Sequence, residues 1–161
     1  VHLAAAPDSG FWSAPPFWHL QFQYWSGPGR LGRTLSLERD YFTEYTKHAQ
    51  RSPTTQPDPS LTGFWTDSTG ALWIVVMVPD PEWPASLGPP MQAEGQTIYP
   101  IEDWNRAYDT VIERVDSENG ASLASWRIDQ AIVRVVEPWV LQSIRTDEDG
   151  WYQALLWQVP H

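Results

Sequence analysis

Short runs of alternating apolar and polar residues, separated by turns rich in Asp and Gly, dominate the chain, and this pattern predicts β-hairpins. From Trp18 to Trp25, Trp18, Leu20, Phe22 and Tyr24 fall on one side while His19, Gln21 and Gln23 fall on the other, as a half-buried strand requires. The chain turns at Ser26-Gly27-Pro28-Gly29 and returns over Leu31 to Leu37, with Leu31, Leu35 and Leu37 at odd positions. Leu3 to Ala6 and Phe11 to Ala14 flank Asp8-Ser9-Gly10. Phe64 to Thr66 turns at Asp67-Ser68-Thr69-Gly70 into Leu72 to Val78, a continuous apolar run that predicts a central strand covered on both faces. Val111 to Val115 turns through Asp116 to Gly120 into Leu123 to Ile128, and Trp139 to Ile144 turns through Asp147 to Gly150 into Trp151 to Val159.

Two irregular segments interrupt the hairpins. Lys47 to Ser60 is polar and rich in Pro and Thr, as a linker or surface loop is. Pro79 to Pro100 holds six Pro with the apolar anchors Trp83, Leu87, Met91 and Tyr99, and loops of such length are functional or disordered. Between Ile101 and Val115 apolar residues recur at helical spacing, but the Asn119-Gly120 turn argues for a strand. The expectation is at most one turn of helix near 102–106, then strand.

The turns themselves repeat: Pro7-Asp8-Ser9-Gly10-Phe11-Trp12, Thr66-Asp67-Ser68-Thr69-Gly70-Ala71-Leu72-Trp73 and Thr146-Asp147-Glu148-Asp149-Gly150-Trp151. Four-stranded units repeated at about 40 to 50 residues build β-propellers. At these residues, at Val78-Pro79-Asp80-Pro81-Glu82-Trp83 and at Tyr108-Asp109-Thr110-Val111-Ile112-Glu113, the chain resembles the C-terminal part of bacterial six-bladed β-propeller proteins of the broad NHL-like group. The resemblance implies an architecture and no chemistry. The expected fold is all-β: partial β-propeller-like antiparallel sheets, about ten strands in two to three blades, with a long Pro-rich loop. Residues 1–161 form a single β domain in this reading, with a first blade-like unit at 1–46, a linker loop at 47–60, a second unit at 61–128 carrying an insertion at 79–105, and a partial third unit at 129–161. So few blades do not close a ring. Either the rest of a propeller lies outside this chain, or the fragment is an open assembly whose edges something covers.

Charge narrows the partners. Twenty acidic residues against ten Lys and Arg give a net charge of -10, which removes the basic surface that nucleic-acid binding needs. The balance is even up to residue 60; from 61 to 100 there are four acids and no base. There is no Cys, which excludes disulfides, thiol catalysis and thiolate metal sites. No apolar stretch approaches the roughly 18 to 20 residues of a membrane span. The chain opens on Val1, so a targeting segment or lipid anchor upstream stays an open question.

No catalytic constellation stands out. His2, His19, His48 and His161 share no motif, and Asp147-Glu148-Asp149-Gly150 lacks the remaining ligands of a calcium loop. Glu102, Asp103, Asp109 and Glu113 offer either paired carboxylates for acid and base chemistry or an exposed acidic face, and the second is the simpler reading. Nucleophile elbows and phosphate-cradling Gly loops are missing from the sequence. Catalytic residues, cofactor and metal are therefore all expected to be none. Trp65, Trp73, Trp126 and Trp157 lie inside strand patterns and are expected in the core.

Trp83, Leu87, Met91, Tyr99 and Trp104, in and beside the Pro-rich excursion, are the candidate partner-binding residues, since Trp and Met concentrate at interface cores. Packing of the same residues over an open sheet edge of their own domain is the competing explanation. The functional expectation is a non-enzymatic structural subunit, periplasmic or otherwise extracytoplasmic and peripheral to a membrane, that docks on protein subunits of a larger complex. In this respect the chain is similar to extramembrane accessory subunits of photosynthetic reaction-centre and light-harvesting complexes. The alternative is an aromatic-platform module binding a carbohydrate or other flat ligand near Trp83, Tyr99 and Trp104. A propeller-type hydrolase with a cation in a central channel is the third reading; it needs carboxylates from several blades on one axis.

Overall fold

The computed structural model describes residues 1–15, 19–43, 53–93, 95–147 and 151–159. Trp18, His48, His161, residues 47–52 of the expected linker, and Glu148, Asp149 and Gly150 lie outside them. The chain is all-β, with thirteen strands among the described residues: β1 (His2–Ala5), β2 (Phe11–Ala14), β3 (Gln21–Gly27), β4 (Arg30–Ser36), β5 (Ser60–Thr66), β6 (Leu72–Pro79), β7 (Met91–Ala93), β8 (Gln96–Ile98), β9 (Tyr108–Val115), β10 (Ser122–Ile128), β11 (Ile132–Glu137), β12 (Val140–Thr146) and β13 (Tyr152–Gln158). A 3-10 turn (Trp83–Ser86) and one helical turn, α1 (Trp104–Ala107), complete it.

The strands form three antiparallel sheets and a detached hairpin. The first sheet runs β1-β2-β3-β4, the second β5-β6-β9-β10, the third β11-β12-β13, and β7 pairs with β8 alone. Each sheet is an up-and-down meander, the second interrupted between β6 and β9 by the Pro-rich insertion. This is a partial propeller-like arrangement of three blades, the last one a strand short, and no sheet among the described residues closes into a barrel. The three-strand excess over about ten comes from β7, β8 and β11. The last of these is hidden in the sequence because irregularities between Ile132 and Arg134 and between Val135 and Glu137 break its alternation.

Repeated turn chemistry builds the hairpins. The backbone N–H of Asp67, Asp116 and Asp147 donates to the carbonyl of Ala71, Ala121 and Trp151, closing each loop. The same Asp side chains accept backbone N–H groups inside the turn: Thr69 and Ala71 on Asp67, Glu118 and Asn119 on Asp116, Trp151 on Asp147. Asp is used because its short carboxylate reaches an N–H two residues on. In the first hairpin Asp8 takes the Gly10 N–H and the Tyr24 hydroxyl instead.

The second sheet is the middle layer. Leu72, Ile74, Val76 and Val78 of β6 face the first sheet, packing with Trp12, Leu20, Phe22, Leu35 and Leu37, and Phe22 meets Phe64 edge-on with ring centroids 5.1 Å apart. Val75 faces the other way, into a core with Trp65, Ile112, Ile132 and Leu141. Burial on both sides accounts for the unbroken apolar run of β6. An irregularity between Leu61 and Gly63 lets Leu61 and Phe64, three residues apart, share one face. A similar one between Tyr24 and Trp25 pairs Leu31 with Trp25, so Leu31 turns outward and is exposed, contrary to the shared face its odd spacing predicts.

Candidate functional site

The first strands of the three sheets, β1, β5 and β11, lie side by side. Two hydrogen bonds tie β1 to β5: His2 Nε2 is 3.0 Å from the Leu61 carbonyl oxygen, and the Thr66 hydroxyl donates to the Ala5 carbonyl. Gly63 lets β5 and β11 approach, since a Cβ there would stand 2.6 Å from Val135. Each of the three is the edge strand of its sheet. Together they wall an open groove of about 610 Å³, lined by residues 2–7, 63–68 and 135–138 only. The lining is mainly apolar, and Leu3 (66% exposed) and Val136 (46% exposed) present large apolar side chains to solvent.

The five expected partner-binding residues separate. Trp83 is 9% exposed and sits within the chain's own fold, and Leu87 packs in a core with Met77, Ile101, Ala107, Tyr108 and Ala131. Trp104 lies half-buried, stacked on Tyr108 at 5.6 Å. Tyr99 is half-buried, whereas Met91, on the β7–β8 hairpin, is 53% exposed. The start of the excursion is thus folded against the second sheet through Leu87, and its neck is closed: Leu87 bridges to Ile101, and Gly88 N–H donates to the Pro100 carbonyl at 2.8 Å.

The indoles expected in the core divide as well. Trp65 and Trp73 stack at 5.7 Å, Trp73 and Trp126 at 5.6 Å, and Trp139 packs edge-on against both Trp65 and Trp73. Trp126 ends this row nearly half-exposed, and Trp157 on the outer strand β13 is also exposed, because neither has a further sheet beyond it.

Of the four acidic residues expected on an exposed face, Glu102 and Asp103 are exposed, whereas Asp109 and Glu113 are not. Glu113 is buried and paired with Arg39, and Asp109 is buried and paired with Arg127. They share the side of β9 that faces the first sheet, yet each is occupied by its own guanidinium. Asp103 caps α1, accepting from the N–H groups of Asn105 and Arg106. Glu102 is exposed. His19 is exposed too, and His2 is held by its backbone contact, with burial pushing its pKa down.

One grouping is absent from the sequence reading. Asp80, just past β6, and Asp129, just past β10, lie beside Asp109 at one end of the second sheet, all three offering carboxylate oxygens within 4.8 Å of one another. The register explains it: Val78 faces Asp109 and Ile128 faces Thr110, so the residues that leave β6 and β10 arrive next to Asp109. The available signal was an Asp immediately after each of two strands that flank a third.

No family model, curated protein or solved structure matches this chain.

Proposed function

We propose that the chain is a non-enzymatic structural subunit that docks on a larger protein assembly through the groove between its three inner strands. The observation that supports this reading best is the convergence of β1, β5 and β11 as three adjacent edge strands with exposed Leu3 and Val136. Unpaired strand edges present rows of N–H and C=O groups that template pairing with another chain, and apolar side chains beside them favour covering. The net charge of -10 directs the partner toward protein with neutral or basic surface rather than nucleic acid. Asp109 and Glu113, the carboxylates best placed for chemistry, are engaged by Arg127 and Arg39.

In its specific form the reading keeps the resemblance noted above: the assembly is a membrane protein complex met from its extracytoplasmic side, such as a photosynthetic reaction-centre and light-harvesting complex. Among the described residues no helix is long and apolar enough to cross a membrane.

The test is native fractionation of producing cells with mass spectrometry of the fractions. The unaltered chain should migrate in a high-mass assembly, and the double variant Leu3→Glu/Val136→Glu should leave it while keeping the parent's circular dichroism spectrum. An unaltered chain that runs as a monodisperse monomer overturns the proposal.

A further inference from the structure

Asp109 is 7% exposed, and its two carboxylate oxygens differ. Oδ2 accepts from Arg127 Nε at 2.5 Å, while Oδ1 is buried and has no hydrogen-bond partner. A buried ionised oxygen without a partner carries most of its desolvation cost uncompensated. Asp80 and Asp129 each bring a carboxylate oxygen within 4.8 Å of one on Asp109, adding negative charge to the same end of the sheet. The surroundings do not balance this. An open cleft of about 600 Å³ adjoins the cluster, lined by Asp80, Glu82, Asp103 and Asp129 with Arg106 as its cation. Counting Asp109 and Arg127, five acids face two guanidinium groups.

Two species neutralise such a cluster: a proton shared between carboxyls, or a cation. A shared proton satisfies two of the carboxyl groups and leaves the third, as well as the acids of the cleft, unbalanced.

We propose that Asp80, Asp109 and Asp129 form a binding site for a hard divalent cation of the calcium class. All the donors are oxygens, which disfavours softer transition metals. Calcium accepts oxygens at about 2.3 to 2.6 Å in flexible geometry, so opposite ligands stand up to about 5 Å apart. The 4.8 Å limit on the three carboxylate oxygens lies inside that span. Two donors sit just past strand ends and the third within a central strand, so the sheet ladder sets their spacing, and the cleft that Asp80 and Asp129 line leaves room beside them for water ligands. None of the three residues lines the groove between the inner strands, so this site is independent of the docking proposal.

Isothermal titration of the EDTA-stripped, dialysed protein with CaCl2 and with MgCl2, alongside thermal melts, tests the site. Calcium should bind once per chain and raise Tm with the logarithm of its concentration above Kd, as a ligand of the folded state must. Asp129→Asn, an exposed position, should weaken calcium at least about tenfold without moving the metal-free Tm, and Asp80→Asn should do the same. Glu118→Gln, an acid remote from the cluster, should bind as the parent does. Asp109→Asn relieves the buried charge, so it should lose binding yet retain or gain metal-free stability. Absence of binding heat and of a Tm shift at millimolar calcium overturns the proposal, as does unchanged binding in Asp129→Asn and Asp80→Asn. Unaltered affinity for both metals in every variant would reduce the effect to nonspecific surface charge.

Discussion

Arg39 clasps Glu113 across the junction of the first two sheets, its Nε standing 3.0 Å from both carboxylate oxygens. Arg39 follows β4, whereas Glu113 is buried in the middle of β9, and Arg39 Nη2 also donates to the Gly120 carbonyl at 2.9 Å. The Tyr41 hydroxyl donates to the same carboxylate, and burial followed by that bond pushes the tyrosine pKa up. A glutamate that the sequence offers for catalysis or for a solvated face is instead a structural anchor.

Arg39→Ala should therefore destabilise the protein by about 3 to 5 kcal/mol, because it leaves Glu113 as an uncompensated buried charge. The pH dependence follows from the same pair. Burial alone would raise the Glu113 pKa, but the Arg39 and Tyr41 bonds outweigh it and hold it below its ordinary value of 4.5. A carboxylate depressed on folding contributes stability that is complete above its unfolded pKa and is lost as pH falls through the folded value. Urea denaturation across that acid range should show a steeper loss for the parent than for Glu113→Gln.

Gly63→Ala tests the approach of β5 to β11. The added methyl would meet Val135 at 2.6 Å, and because two backbones fix the separation, a cost of about 1 to 3 kcal/mol is expected. Val135→Ala removes the opposing atoms, so the double variant should recover much of the loss. A double-mutant cycle measured by denaturant titration gives that coupling, and additive effects would separate Gly63 from Val135.

What was legible depended on how local the signal is. The Asp67, Asp116 and Asp147 turns declare their hairpins within a few residues, and β6 announces a doubly covered strand through its unbroken apolar run. Leu31 and β11 were obscured because one extra residue in a strand reverses which side chains share a face. Trp83 and Trp104 show a different limit: the sequence places them in and beside a loop, and only the fold shows Trp83 buried and Trp104 stacked on Tyr108. The three aspartates lie far apart in the chain, and only the pairing of β6, β9 and β10 brings them together. Their candidate site was invisible without the register.

Asp67 joins the turn to the indole row. It accepts from Thr69 N–H, Ala71 N–H, Trp73 Nε1 at 3.1 Å and Arg114 Nε at 2.9 Å. Burial works against ionisation, but the Thr69 hydroxyl, which donates to Asp67 at 2.6 Å, and these other bonds prevail and hold its pKa at about 2. The sign is again that of a depressed carboxylate, so its contribution is complete above its ordinary value of 3.8 and fades as pH falls toward about 2. Asp67→Ala should cost about 1 to 3 kcal/mol by leaving the Trp73 and Arg114 donors short of a partner. Asp67→Asn should cost less, since its carbonyl oxygen still accepts the turn N–H groups. Near-ultraviolet circular dichroism should report the loosened Trp73 in Asp67→Ala, and an unchanged spectrum would detach the indole row from the turn.

The Pro-rich excursion divides at Gly88. Trp83 and Ser86 are buried, Leu87 packs with Met77 and Tyr108 of the second sheet, and the Ser86 carbonyl accepts from Glu102 N–H at 2.9 Å. Beyond the Gly88 to Pro100 bond the chain runs out into the β7–β8 hairpin, which among the described residues pairs with no other strand. Removing residues 84–98 should therefore damage the fold, because it takes Ser86 and Leu87 from their packing. Replacing residues 90–98 by a short Gly-Ser link should leave Tm within a few degrees, since the closed neck already holds the two ends together. The same shorter deletion tests Met91, the exposed member of the five candidate anchors. If the hairpin adds to docking, association in native fractionation should weaken with the fold intact; if docking runs through the groove alone, the deleted protein should still co-migrate with its assembly.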